Sequence, residues 1–566
     1  MRGGAWLTLR GARYGRGMHG QHQPPRSVDT QESWIFSQRH LVLLGILLAV
    51  AALYSPLLGA GFASDDHALV LGRSLTLADI PSFFSADLWE GMPNGTGYYR
   101  PVMMVSLVAD HMIWGEWAGG YHLHSLGWHL GCVVLVYLLV ARLVGVPGGL
   151  AAAAFFGLHP LQSEAVAFIS ARNDPMAAAL LLVGVLLLLP ERPGAGRLAA
   201  AALAVLTACL SKENAVFGVA LLPALDLLRW RRLRGLPRYL ALLLALGGWA
   251  VLRLGLGPSR LPGADGASLL LSRSPQVVAL YLRKLLVPWP LSDSHHLVYL
   301  DLPMAQVVLL LSLGLVAAAL LLRRGGGPAL VGLGFGALVF APSLAGIVFL
   351  LQLAERYAYM PMIGLALALA AVLPAPSRRW LLALPLLVLW AVCLTHRLPE
   401  WSSSLALAQS AVEDAPSGYS HGWLGSELAE VGRHEEAQPW FEAALQAEPP
   451  YCVVATKAVR SSLNAGGPAS AVARGRLAYQ RGCAGVEGFR GVWALSWFLA
   501  GDPLGADKIL SPRPPCDAST VLAIVGLDLR AGREQDAQAC AQQAGTQLSA
   551  VRARLEALSG ASGSAP

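Results

Sequence analysis

LVLLGILLAVAALYSPLLGAGFASDDHALV (residues 41–70) sets an uncharged run, 41–59, a few residues ahead of two adjacent carboxylates, Asp65 and Asp66. A helix rises about 1.5 Å per residue, so about 20 such residues cross the roughly 30 Å of hydrocarbon in a bilayer. Comparable runs recur to about residue 396. Of the 566 residues, 55% are hydrophobic and only 14% charged, against about a quarter charged in a soluble domain. The pattern predicts an all-α protein with a polytopic helical membrane domain over 41–400. A basic cytoplasmic segment, 1–40, precedes it. A soluble domain, 401–560, begins where polar residues return after THRLPEW (395–401).

Hydropathy places about eleven spans, near 41–59, 122–144, 149–160, 174–190, 197–211, 214–229, 238–256, 303–322, 328–349, 357–373 and 379–396. The formal charge of +7 does not mark a nucleic-acid face. Its arginines cluster in short loops: ERPGAGR (191–197), RWRRLRGLPR (229–238), LLRRGGG (321–327) and PSRRW (376–380). Such loops stay in the cytoplasm. Eleven spans keep every cluster inside and send the C-terminal domain outside. QVVALYLRKLLVPWP (276–290), interrupted by Arg283, Lys284 and prolines, reads as an interfacial helix on the outer face. The first run has no small-residue cleavage site after it and reads as an uncleaved anchor. Lys212, Lys284, Lys457 and Lys508 are the only lysines, and Ala, Leu and Gly abound. That composition points to a GC-rich bacterial gene and an inner membrane. The alternative is the endoplasmic reticulum, with the C-terminal domain lumenal. NGT (94–96) fits an N-glycosylation acceptor but is too common a tripeptide to choose between them.

The outside loops carry the polar chemistry. Asp65, Asp66, Asp87, Arg100 in GYYRP (97–101) and Asp110 fall in the first. HPLQSEAVAFISARNDP (159–175) holds His159, Glu164, Arg172 and Asp174. SKEN (211–214) holds Lys212 and Glu213, and AERYAYMP (354–361) holds Glu355 and Arg356. Ionisable residues near a bilayer face one another or a cavity and mark function. Each has a plainer reading: a solvated loop start for the aspartates, a helix end for His159, and local ion pairs for Arg172–Asp174, Lys212–Glu213 and Glu355–Arg356. Their convergence on one face favours a site. No G-x-x-x-x-G-K loop or Cys/His cluster occurs, so neither ATP nor structural zinc is called for. No cofactor is required, and a loop-bound divalent cation stays open.

GYSHGWLGSELAEVGRHEEAQPWFEAALQAEPP (418–450) has the small and large residues of a tetratricopeptide repeat: Leu424-Gly425, Gly432, Ala437, Phe441, Ala444 and Pro449. Echoes follow at Gly466, Gly501 and Gly532, for about four repeats. In that register Cys452 opens a helix and Cys483 follows its partner, so a Cys452–Cys483 disulfide is expected in an oxidising compartment. Cys516–Cys540 is a second candidate pair.

The order of DD, YYRP, HPLQSEAVAFISARND, SKEN, AERYAYMP and C-terminal repeats resembles one family. It is the transmembrane and tetratricopeptide-repeat containing O-mannosyltransferases, of the GT-C class of glycosyltransferases. His159-Pro160, Glu164-Ala165-Val166-Ala167 and Arg172-Asn173-Asp174 carry the likeness most specifically. The resemblance implies a GT-C-like fold and a lipid-linked sugar donor, a polyprenyl-phosphate sugar with mannose favoured. It also implies inverting transfer on the outer face to a hydroxyl acceptor, a protein Ser/Thr or a glycan. Inverting transfer needs one carboxylate as base, for which Asp65 or Asp66 stands. A leaving phosphate needs cations, for which Arg356, Lys212, Arg172 and Arg100 stand. A transporter and a non-catalytic scaffold presenting repeats are the competing classes. A transporter would carry its charges within broken spans, and a scaffold would need neither DD nor Arg-x-Asp.

Overall fold

The computed structural model describes residues 28–89, 97–256, 264–292, 295–373 and 383–561. The NGT tripeptide (94–96), the PSRRW arginines and the first 27 residues lie outside the described residues. The chain is nearly all helical. Among the described residues the exception is a two-residue antiparallel pair, His295–His296 with Gln352–Leu353. Among the described residues, five helical stretches are long and apolar enough to cross a membrane: Arg39–Gly59, Ala118–Val144, Ile169–Leu188, Leu236–Leu254 and Met304–Ile347. Pro101–Trp114, Val146–Leu158 and Ala195–Ser211 are apolar but shorter.

The helix Asn173–Leu188 is apolar on every side and sits at the centre, with 78% of its spanning window buried; for Met304–Ile347 the figure is 11%. A helix hydrophobic all round lies inside a bundle or faces lipid, and here the two cases divide cleanly. The central helix packs against Ala118–Val144 and Ala195–Ser211, and the main core runs from Val50 to Leu407.

The helices depart from the hydropathy runs at identifiable places. Run 214–229 is two helices, Ala215–Gly218 and Leu221–Trp230. Pro223 lacks the N–H that a continuous helix would bond back one turn. Met304–Leu350 is broken at Gly326, whose φ of 55° and ψ of −135° are not helical, and this matches the gap between runs 303–322 and 328–349. The first loop is not irregular throughout: Pro101–Trp114 is a helix that buries Met103, Met104, Leu107 and Val108. The interrupted run 276–290 belongs to a helix, Ala264–Leu286, whose Lys284 is buried against Glu355.

Beyond Arg397 the chain forms helix pairs joined by short turns: Gly418–Glu430 with His434–Gln446, Phe489–Leu499 with Pro503–Ile509, and Val521–Arg530 with Glu534–Gln543. Gly432, Gly467, Gly501 and Gly532 occupy equivalent turns with φ between 72° and 85°, a region open to glycine without strain. In the second unit the turn glycine is thus Gly467, one residue beyond the Gly466 expected. Disulfides join Cys452 to Cys483 and Cys516 to Cys540.

One helix contact depends on glycine alone. A Cβ on Gly364 would lie 2.2 Å from the carbonyl oxygen of Gly332, and one on Gly332 would lie 2.3 Å from that of Gly364. Small residues let such backbones touch. Gly334, on the same helix, has nothing within 4 Å. Gly364→Ala should cost about 1–3 kcal/mol through overpacking, whereas Gly334→Ala should be neutral or stabilising by up to about 1 kcal/mol. Thermal unfolding of the purified protein in detergent checks the pair; equal effects would refute the packing account.

Candidate active site

Past the helix Val28–Tyr54 the chain is held at both ends of a tight turn. Gly61 N–H donates to the Ser402 carbonyl (2.9 Å) and Ser64 N–H to Ser404 Oγ (2.8 Å). Within that turn the adjacent aspartates point to different environments. Asp66 is buried and accepts from Ser170 N–H (2.8 Å), Ser170 Oγ (2.6 Å) and Ala63 N–H (3.3 Å). Burial pushes its carboxyl up to about 7, against the pull of the Ser170 and Ala63 bonds, with some help from the charge of Asp65. The Asp65 carboxylate makes no hydrogen bond or ion pair among the described residues. Asp65 is exposed, in a recess closely walled by protein. Burial therefore raises its pKa, while Arg356 and Arg100 pull it down.

Three cations share that recess, each steadied by one carboxylate from another segment. Arg356 bonds Glu164 through its guanidinium and, at 3.1 Å, through its backbone N–H. Lys212 Nζ meets both oxygens of Asp174 at 2.6 and 2.7 Å. Arg100 Nε meets Glu213 at 3.4 Å, and Glu213 also accepts from Tyr99 N–H at 3.0 Å. The terminal nitrogens of Arg100 have no bonded partner among the described residues. Aromatic faces complete the cradle: Tyr98 lies 4.3 Å from the Arg100 guanidinium, and Tyr357 lies between Lys212 (5.1 Å) and Arg356 (5.4 Å). Such contacts attract cations. Desolvation lowers Lys212 to about 8, opposed by Asp174 and aided by the charges of Arg100 and Arg356. Three cations, three committed carboxylates and one spare carboxylate, Asp65, form one site. It can hold an oxyanion and accept a proton.

Comparison with known proteins bears on what such a site belongs to. No protein-family model matches the chain, and no solved structure matches it. Three curated proteins do. It is 36% identical over 140 residues to the protein O-mannosyl-transferase Tmtc2 of Drosophila melanogaster, covering 23% of this chain and 15% of that one. It is 29% identical over 195 residues to Tmtc1 of the same fly, 33% of this chain and 23% of that one. The protein O-mannosyl-transferase F38B6.6 of Caenorhabditis elegans is 23% identical over 451 residues, 73% of this chain and 63% of that one. The chain is similar to these Tmtc-type protein O-mannosyltransferases. It spans less than two thirds of the length of each of them.

The other residues singled out from sequence stand apart from the recess. Arg172 is fully buried on Asp110, with the Tyr121 carbonyl accepting at 2.8 Å. It is therefore not paired with Asp174. His159 is buried against Trp390 (4.7 Å between rings), and its Nδ1 accepts from Leu161 N–H. Glu355 is paired not with Arg356 but with Lys284 (2.5 Å) and Arg397 (3.2 Å). Burial pushes Glu355 up, but those two cations outweigh it and hold the carboxyl at about 2. Ser170, Tyr98 and Tyr357 were missed by sequence reading. The two tyrosines carried a signal in the Tyr–Arg and Arg–Tyr neighbours of YYRP and AERYAYMP; Ser170 carried none.

Asp66 generates a test. Its folded pKa is raised, so the native state binds a proton more tightly than the unfolded chain between about 4 and 7. Stability from this group is full below that window and is lost as pH rises through about 7. Unfolding followed from pH 5 to 8.5 should show wild type losing stability with rising pH and Asp66→Asn losing less of it. Parallel profiles would refute the assignment.

Proposed function

We propose that this chain is a membrane glycosyltransferase that moves a sugar, mannose in the first instance, from a polyprenyl-phosphate donor to the hydroxyl of a protein serine or threonine. The observation that carries the reading is the spare carboxylate: that of Asp65, without a hydrogen bond or ion pair among the described residues, lies in the field of Arg356 and Arg100, which in turn neighbour Lys212. The names of its relatives supply the sugar and the acceptor class. In the proposed reaction the acceptor oxygen attacks the sugar's anomeric carbon from the face opposite the phosphate. The bond from that carbon to the phosphate oxygen breaks, the electron pair leaves with the lipid phosphate, and the acceptor proton passes to Asp65. Configuration at the carbon inverts. Arg356, Lys212 and Arg100 receive the charge on the leaving phosphate, which a guanidinium fork suits. Asp66 shapes the turn that presents Asp65 by its bonds to Ala63 and Ser170, and Arg172, two residues after Ser170, is anchored on Asp110 and the Tyr121 carbonyl.

The GT-C-like fold, the eleven-span topology and an outer-face site belong to the same proposal. The pairing of Arg234 with Glu191 (2.8 Å), and the burial of Arg238 on Asp226, support one common side for loops 191–197 and 229–238. The C-terminal helix pairs, read as tetratricopeptide repeats, would bring the acceptor. A cleft of about 630 Å³ between residues 298–301 and the first pair offers Asp301, Ser417, His421 and Glu448 to a peptide.

Removing a general base costs on the order of 10²- to 10⁴-fold in rate. Asp65→Asn should lose that much in transfer of mannose from polyprenyl-phosphate mannose to a Ser/Thr peptide, with donor KM and thermal stability unchanged. Arg356→Ala should instead raise donor KM. Near wild-type turnover by Asp65→Asn would sink the catalytic reading. For topology, reporter fusions at 235 and 420 should report opposite sides of the membrane; the same side would refute eleven spans.

A further inference from the structure

The helices that carry the candidate site have a second basic cluster at their other ends. Asn173–Leu188 is 16 residues long, so its far end lies about 21 Å from Asp174. There a cavity of about 630 Å³ opens between Ala118–Val144, Asn173–Leu188, Ala195–Ser211 and Leu221–Trp230. Its walls are apolar, with Leu138, Val183 and Leu187 among them, and its rim carries Arg142, Arg197 and Arg229. The three come from three different helices and are exposed. None has a carboxylate partner among the described residues. Arg142 donates to the Leu138 carbonyl of its own helix (2.7 Å), and Arg229 lies 5.4 Å from the Trp230 ring.

Carboxylates at this end are already taken. Asp226 is held by Arg238 and Tyr239, and Glu191 by Arg234. Arginines that only set topology have no need to converge, yet these three surround one apolar slot. We propose that this cavity binds the headgroup of an anionic phospholipid, at the opposite end of the bundle from the sugar-transfer recess. The guanidinium groups would take the phosphate, in the bidentate manner arginine favours, and the leucine wall would take the acyl chain. Basic pockets between spanning helices suit acidic headgroups for the same reason. The apolar wall is what favours a lipid over a free phosphate ion.

The full chain, purified in detergent and equilibrated with equal amounts of phosphatidylglycerol and phosphatidylcholine, is read by native mass spectrometry. Each arginine near a membrane surface adds to the affinity for anionic lipid, so retention of phosphatidylglycerol should exceed that of phosphatidylcholine by about tenfold or more. R142Q/R197Q/R229Q should abolish the preference. R192Q/R232Q/R323Q, which removes as much charge from the protein surface but not from this cavity, should keep it. L138W fills the slot without touching charge and should also abolish retention, so the test survives if the triple variant misfolds. Equal retention of the two lipids, preference surviving in both R142Q/R197Q/R229Q and L138W, or equal loss in the two triple variants would overturn the proposal. Displacement of the lipid by millimolar inorganic phosphate would also overturn it, as the mark of a simple anion site.

Discussion

A charge at the edge of hydrocarbon must find an opposite charge or lie open to water, and the fold is organised around that constraint. Arg356 is tied to Glu164, Lys212 to Asp174, Arg172 to Asp110, Lys284 and Arg397 to Glu355, and Arg238 to Asp226. Several of these pairs join loops more than 60 residues apart in the chain. Removing one partner of such a buried pair leaves the other uncompensated, at a cost of about 3–5 kcal/mol. The pairs therefore hold the loops in one arrangement, and they do so where the apolar helices, greasy on all sides, would otherwise slide freely.

Against that background the unpaired groups carry the functional argument. Asp65 is set apart by the company it keeps: its neighbour Asp66 spends both oxygens on residues 63 and 170, while Asp65 faces cations committed elsewhere. The Tyr357 ring lies beside two of those cations. An arriving phosphate would meet positive charge already in place, with little reorganisation at the moment of reaction, which is how preorganised sites lower barriers. The rim arginines at the far end are unpaired in the same sense, with a leucine wall in place of a carboxylate.

Glu355 shows how the site is tied to the rest of the chain. It gathers Lys284, the Ser292 N–H (2.7 Å) and Arg397, and so fixes the start of the C-terminal domain beside Arg356. Arg397 in turn bonds Glu400, which accepts from Ser410 at 2.5 Å. Buried and half-buried polar contacts thus run from Glu355, next to Arg356 in the chain, to the helix Ser404–Asp414 that precedes the helix pairs.

The helical, membrane-type character of the protein was legible from composition and run length alone, because burying backbone in hydrocarbon leaves few options besides a helix. So were the five motifs whose residues meet in the recess, and the glycine-marked turns of the C-terminal pairs, off by one residue at Gly467. Pairing was not legible. Neighbours in sequence, Arg172 with Asp174, Lys212 with Glu213 and Glu355 with Arg356, each took a partner from a distant segment. Adjacent side chains on a turn or helix point in different directions, so proximity along the chain says little about contact. The same rule separates the two aspartates. Their sequence marks both as costly, and only the packing of residue 170 against the turn decided that Asp66 is enclosed and Asp65 left free.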